Sequence, residues 1–267
     1  MHALKLAAIA HEDLCHGWQW TVVDEDALAA QVARVALGQY RHVARILAGR
    51  PGLPLKTRSD QILSAIKMLT LKENEDPWHR DGWLFQTISW IAAHQVSHGS
   101  VTRPPHIIKA HKGFDGIQLE FSPDGKKVLA VVIFEDKATS KARKTITRDV
   151  WPGIKSLERG ERIGELTHET TALLESQRNI DQSINIDDAI NTLIWKDVRK
   201  YRVSITVDDT YSNKAAREKL FKGFDLQAPG KIGRRQANTM LLPSLRPWMD
   251  AFAMKVICHL EESSSDV

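Results

Sequence analysis

Between positions 113 and 144 the chain sets acids against its own hydrophobic pattern. Val128 to Phe134 is an unbroken run of β-branched and apolar residues, which predicts a strand covered on both faces. It ends in Glu135, Asp136 and Lys137. Side chains alternate along a strand, so Glu135 and Lys137 share one face and Asp136 takes the other. Upstream, Phe114 to Phe121 alternates, with Ile117, Leu119 and Phe121 on one face, Gln118 and Glu120 on the other, and Asp115 on the apolar side. The link Ser122-Pro-Asp-Gly-Lys126 predicts a turn that folds the two strands into an antiparallel hairpin. Such a hairpin carries Asp115 towards Glu135 and Lys137.

The same patterning predicts the remaining elements. Trp18 and Trp20 alternate within Leu14 to Val23, a short strand, and the acids Asp24 to Asp26 suit the start of a helix from Ala27 to Leu47. Gly49-Arg-Pro-Gly52 ends it, and a second helix runs from Ser59 to Leu71. Together these make residues 1–76 an N-terminal helical extension, in front of a core with C-terminal helices at 77–267. The core opens with a long helix, Trp78 to Val96, followed by a strand at His106 to His111 and the hairpin. A crossover helix from Thr139 to about Glu158 is expected to break at Trp151-Pro-Gly153. Charged Arg159 to Gln177 and apolar-striped Asn185 to Trp195 predict two more helices, and Tyr201 to Val207 alternates as a last core strand. Asp208 reads as the N-cap of a helix reaching Phe221, Gly223 to Arg235 as a loop, and the region from Ser244 as a final helix ahead of a polar tail at 261–267. The fold class is α/β.

Carboxylates at the edge of a core cost several kcal/mol, on the order of 3 to 5, unless they are paired or hold a metal. Asp115 and Glu135 offer hard oxygen ligands suited to Mg²⁺ or Mn²⁺, completed by a backbone carbonyl and waters. Lys137 is placed to orient, or help deprotonate, a water that attacks a phosphodiester.

Asp115, then Glu135-Asp136-Lys137 at the end of an apolar strand, resembles the metal-dependent PD-(D/E)xK nuclease superfamily. The resemblance implies a restriction-endonuclease-like core: a small central mixed sheet flanked by helices, built from an opening helix, a three-strand meander, a crossover helix and a fourth strand. It makes Asp115, Glu135 and Lys137 catalytic and Asp115, Glu135 and Asp136 the candidate metal ligands. Its opening helix often carries a further acid, where this chain has Gln86. Gln86 is then either a partner for a metal-bound water or a surface amide, and Asp81 is the only nearby acid able to substitute. Within the superfamily, Arg80-Asp-Gly82, a helix, then Lys109-Ala-His-Lys-Gly-Phe-Asp-Gly116 and Glu135-Asp-Lys137 are most similar to the nuclease subunit of Hachiman-type antiphage defence systems, over roughly residues 78 to 210. That likeness implies a helicase partner, an ATPase that restrains the nuclease.

Composition permits this and excludes other classes. Hydrophobic residues at 42% and charged residues at 26% exclude a disordered chain, and a net charge of +4 permits a polyanionic partner such as DNA without requiring one. Lys109 and Lys112 before Asp115, and Lys141, Arg143 and Lys144 after Lys137, are candidate nucleic-acid contacts or solvated lysines and arginines. No apolar run is long enough to span a membrane and no secretory leader is evident, so a cytosolic chain is expected. Cys15 and Cys258 lack zinc or disulfide spacing, and histidines 94, 98, 106 and 111 lack the paired spacing of zinc hydrolases. The chain has no phosphate-binding loop of the Walker type, so any motor is another protein. Three functions compete: a Mg²⁺-dependent DNA endonuclease, a non-catalytic nucleic-acid or protein-binding module on the same fold, and an unrelated α/β domain in which Glu135 and Lys137 are a surface ion pair.

Overall fold

The computed structural model describes residues 2–51, 56–97, 99–106, 113–178, 185–193 and 196–263. Its strands are β1 (Leu4–His11), β2 (Cys15–Val22), β3 (Val101–Thr102), β4 (Gly116–Phe121), β5 (Val128–Lys137), β6 (Arg199–Val207) and β7 (Arg235–Leu241). They form one mixed sheet in the order β1-β2-β7-β6-β5-β4-β3. The pairs β1–β2, β3–β4 and β4–β5 are antiparallel, whereas β2, β7, β6 and β5 run parallel. The Pro-Asp-Gly turn closes the β4–β5 hairpin as the sequence predicts, with Gly125 at φ +74° where a side chain would be strained.

The helices are α1 (Glu25–Ala36), α2 (Tyr40–Leu47), α3 (Ser59–Leu69), α4 (Trp78–Val96), α5 (Ala142–Thr145), α6 (Trp151–Arg159), α7 (Ile163–Arg178), α8 (Ile186–Leu193), α9 (Lys214–Phe221), α10 (Phe224–Gln227) and α11 (Leu245–Glu262). They cover both faces of the sheet. On one face α1, α3, α4 and α11 bury Leu28, Ile62, Phe85 and Phe252 with Trp20 and Met240. On the other, Ile154, Leu174, Phe221 and Phe224 pack with Ile133, Val203, Ile205 and Ala237. Each large apolar side chain so buried contributes about 1.5 to 3 kcal/mol before conformational entropy is charged against it.

Several expectations change. The N-terminal stretch is not a helical extension standing in front of the core: β1 and β2 continue the central sheet through β2–β7 pairing. Gly17 permits that pairing, because a Cβ there would run into the backbone of Ala237. The helix expected over Ala27 to Leu47 is two helices, broken at Gly38 (φ +77°), where the amides of Gly38 and Gln39 close on the carbonyls of Val35 and Arg34. The crossover helix does not break at Trp151-Pro-Gly153. A π-helical turn, Ile146–Val150, joins α5 to α6 and widens the backbone just where Pro152 lacks an N–H. Asp208 caps only a single 3₁₀ turn, and Asn213 is the N-cap of α9 through its bond from the Ala216 amide. Within the region expected as a loop, residues 224–227 are helical and Arg235 begins β7. The strand expected at His106 to His111 lies outside the described residues but for His106, which is irregular; β3 instead flanks β4. The expected tail is helical as far as Glu262.

Candidate active site

At the carboxyl end of β5, Glu135 and Lys137 project to the face covered by α6, and Asp115 precedes β4 directly across the hairpin. Open α/β sheets offer ligands a crevice at this end of their parallel strands. Gly116, opposite Phe134, keeps the approach close, since a Cβ there would sit 2.6 Å from the Phe134 ring.

The Lys137 ammonium bridges the two acids. Its Nζ lies 2.7 Å from Asp115 Oδ2 and 3.0 Å from Glu135 Oε2. Asp115 also accepts the Asp136 backbone amide at 2.8 Å, on Oδ2, and the side-chain amide of Gln86 at 2.6 Å, on Oδ1. Gln86 is therefore no surface amide: α4 holds it against the acid. Burial pushes the Glu135 carboxyl up, Lys137 opposes that, and the Asp115 charge adds to it. Burial works against the Lys137 ammonium, but Glu135 and Asp115 outweigh it and hold its pKa well above the ordinary lysine range. Lys137 is a cation in this arrangement.

Glu135 Oε1 makes no hydrogen bond among the described residues and faces Gly153 of α6, where an added Cβ would come to 3.6 Å. The oxygens of both acids keep unused lone pairs, and a cation already sits between the two carboxylates in the form of the Lys137 ammonium. Carboxylate oxygens such as those of Asp115 and Glu135 are the hard donors that a divalent cation prefers. Among the described residues no group of three or more His, Cys, Asp or Glu side chains is arranged to hold a metal.

Asp136 does not join the pair. Its side chain points to the opposite face, as alternation along β5 requires, where Ser89 of α4 donates to Oδ1 at 2.7 Å. Behind it, the buried Arg202 guanidinium donates to the Ser89 carbonyl at 2.8 Å and stacks over Phe134 at 4.2 Å from the ring centre. Burial, reinforced by Asp115, pushes the Asp136 carboxyl up to about 7 against the opposing pull of Arg202, Ser89 and Ser204. Burial lowers Arg202 to about 10, with Asp136 opposing. Asp81 is likewise engaged elsewhere: it is fully buried at the start of α4, paired with Arg80 and Arg246.

Of the candidate nucleic-acid contacts, Lys109 and Lys112 lie outside the described residues. Lys141 and Lys144 are exposed on and just before α5. Arg143 is engaged in the fold, donating to the carbonyls of Leu220 at 2.7 Å and Lys222 at 3.0 Å at the C-terminal end of α9. His94 is bound to the Trp90 carbonyl and its ring lies tilted against the Trp90 ring. Two cations that the sequence pattern leaves unmarked flank the site instead. Arg103 donates to the Phe114 carbonyl at 2.5 Å and pairs with Glu169, and Arg162 lies over the Phe114 ring at 4.3 Å.

No family model, curated protein or solved structure matches this chain. Among the described residues no helix is long and apolar enough to cross a membrane.

Proposed function

We propose that the chain is a Mg²⁺-dependent DNA endonuclease of the PD-(D/E)xK type, with its core in the segment from α4 to β6. The observation that carries the proposal is the Lys137 ammonium held between Asp115 and Glu135 at the end of a buried strand. With both carboxylates ionised against one ammonium, the cluster keeps one negative charge, which repels a phosphodiester. A divalent cation reverses that sign, and when bound it supplies Lewis-acid stabilisation of the charge that develops on phosphate. Asp115 and Glu135 would hold it. Gln86 fixes the carboxylate plane of Asp115, and Lys137, being protonated, positions the attacking water and steadies negative charge rather than removing a proton.

In this proposal the endonuclease is the effector of a prokaryotic antiphage defence system, restrained by a helicase partner. The order of α4, the β4–β5 hairpin, the crossover helix and β6 supports that reading, together with the Hachiman-like run from Arg80 to Lys137.

The test is plasmid nicking by the purified chain, alone and with a helicase encoded beside it. Wild type is expected to nick only with Mg²⁺ or Mn²⁺, and folded Glu135→Ala and Lys137→Ala to be inactive. Full cleavage by both variants overturns the site.

One observation favours a second reading, a binding module on the same fold. Asp115 already accepts three donors from the protein, and among the described residues no third carboxylate joins the pair. A module binds nucleic acid equally in EDTA and shows no divalent-cation binding that depends on Glu135.

A further inference from the structure

Arg162 stands at the rim of the acid–lysine cluster, one residue before α7, and two contacts hold its guanidinium. The fork is bidentate on Glu165, with Nε at 2.8 Å from Oε2 and Nη2 at 2.7 Å from Oε1. Its plane also covers the ring of Phe114, the buried neighbour of Asp115, at 4.3 Å. A guanidinium fixed in this way has lost much of its rotamer freedom before any ligand arrives. Among the described residues Nη1 makes no hydrogen bond, and the side chain is 29% exposed.

The fold alone gives weak reason for this arrangement. A partly exposed pair three residues apart, at 29% and 35% exposure, stabilises by only about 0 to 1 kcal/mol. Arg103, the other arginine beside Phe114, does the structural work: it is 14% exposed, anchors the Phe114 carbonyl and pairs with Glu169. Arg162 is partly exposed and lies over the ring next to Asp115, and its charge is felt by both Glu135 and Asp115.

We propose that Arg162 is a phosphate-holding residue of this site, with its free guanidinium edge contacting a non-bridging oxygen of the nucleic-acid phosphodiester brought to Asp115, Glu135 and Lys137. Glu165 and Phe114 are its positioning residues, orienting the fork without touching substrate. The proposal rests on the nuclease reading for its ligand, but it concerns binding, which can be measured apart from cleavage.

The test is equilibrium binding of a fluorescently labelled DNA duplex to the full chain with Ca²⁺ as the divalent cation, between about 50 and 200 mM KCl. Each phosphate contact contributes about 0.9 to the slope of log K against log salt. Arg162→Ala is expected to bind about tenfold more weakly at 0.1 M salt, with the slope shallower by about 0.9. Arg162→Lys keeps a cation and should keep the slope while losing the fork geometry and part of the affinity. Melting curves of the variants are expected to match wild type, which separates lost contact from lost fold. An unchanged slope in Arg162→Ala, or a wild type that does not bind the duplex, overturns the proposal. Binding that shows the slope change in a wild type unable to cut with Mg²⁺ or Mn²⁺ supports Arg162 while defeating the catalytic reading.

Discussion

The side-chain amide of Gln86 lies 2.6 Å from Oδ1 of Asp115, so the long helix α4 meets the acid–lysine cluster through a neutral donor and not through a third carboxylate. Gln86→Glu is nearly isosteric but replaces this donor with a like charge. In EDTA the variant is expected to lose about 1 to 3 kcal/mol, from the lost hydrogen bond to a charged partner and the repulsion that replaces it. Mg²⁺, binding the folded state only, should restore more stability to the variant than to wild type. Thermal melts of both chains with and without Mg²⁺ check this. Equal metal-induced shifts would mean that α4 does not face the cation.

Asp136 predicts a pH dependence. Its folded pKa is raised to about 7 by burial, far above the value of about 4 for a free aspartate. Protonation therefore favours the folded chain: the contribution is fully present below about pH 4 and is lost as pH rises through about 7. At about 1.4 kcal/mol for each tenfold change in acidity, the difference across that window is on the order of 4 kcal/mol. Urea unfolding at several pH values should show wild type losing stability relative to Asp136→Asn between about pH 4 and 7. Parallel curves for the two chains would rule out a titrating Asp136.

Gly153 sits inside a helix, where glycine costs about 0.5 to 1 kcal/mol relative to alanine. The position faces Glu135 Oε1, and an alanine Cβ would come to an ordinary contact distance of 3.6 Å. Gly153→Ala is expected to raise stability by about that amount, since nothing need move, while placing a methyl group beside the Glu135 oxygen proposed to bind the cation. More Mg²⁺ should then be needed for half-maximal activity. A variant both stabler and unchanged in its Mg²⁺ dependence would mean that this space plays no part in the site.

The parts of the site that were legible are those fixed by local pattern. Alternation along β5 puts Glu135 with Lys137 and turns Asp136 away, and a Pro-Asp-Gly turn sets the register that delivers Asp115. The same alternation commits the Asp136 carboxylate, a candidate metal ligand by the resemblance, to Ser89 on the other face. The places of Arg162 and Gly153 beside the site are tertiary: one depends on Phe114 lying beneath it, the other on α6 crossing Glu135. Arg143 looked like one more basic side chain until α9 brought two carbonyls to it from nearly eighty residues away. The N-terminal hairpin was hidden more deeply. β1 is Ala-rich with no clear alternation, and its place in the sheet depends on β2 lying against β7 at Gly17, a contact between chain ends that no periodicity encodes.

In the proposed endonuclease Asp115 and Glu135 together hold a divalent cation, and Lys137 stands in its place when the cation is absent. A crystal soaked in Mn²⁺ and measured at the manganese edge tests it directly. An anomalous peak is expected within about 2.0 to 2.4 Å of an oxygen from each carboxylate, with the Lys137 ammonium moved off at least one of them. A soaked crystal with no peak there, and Lys137 still bridging Asp115 and Glu135, would contradict it.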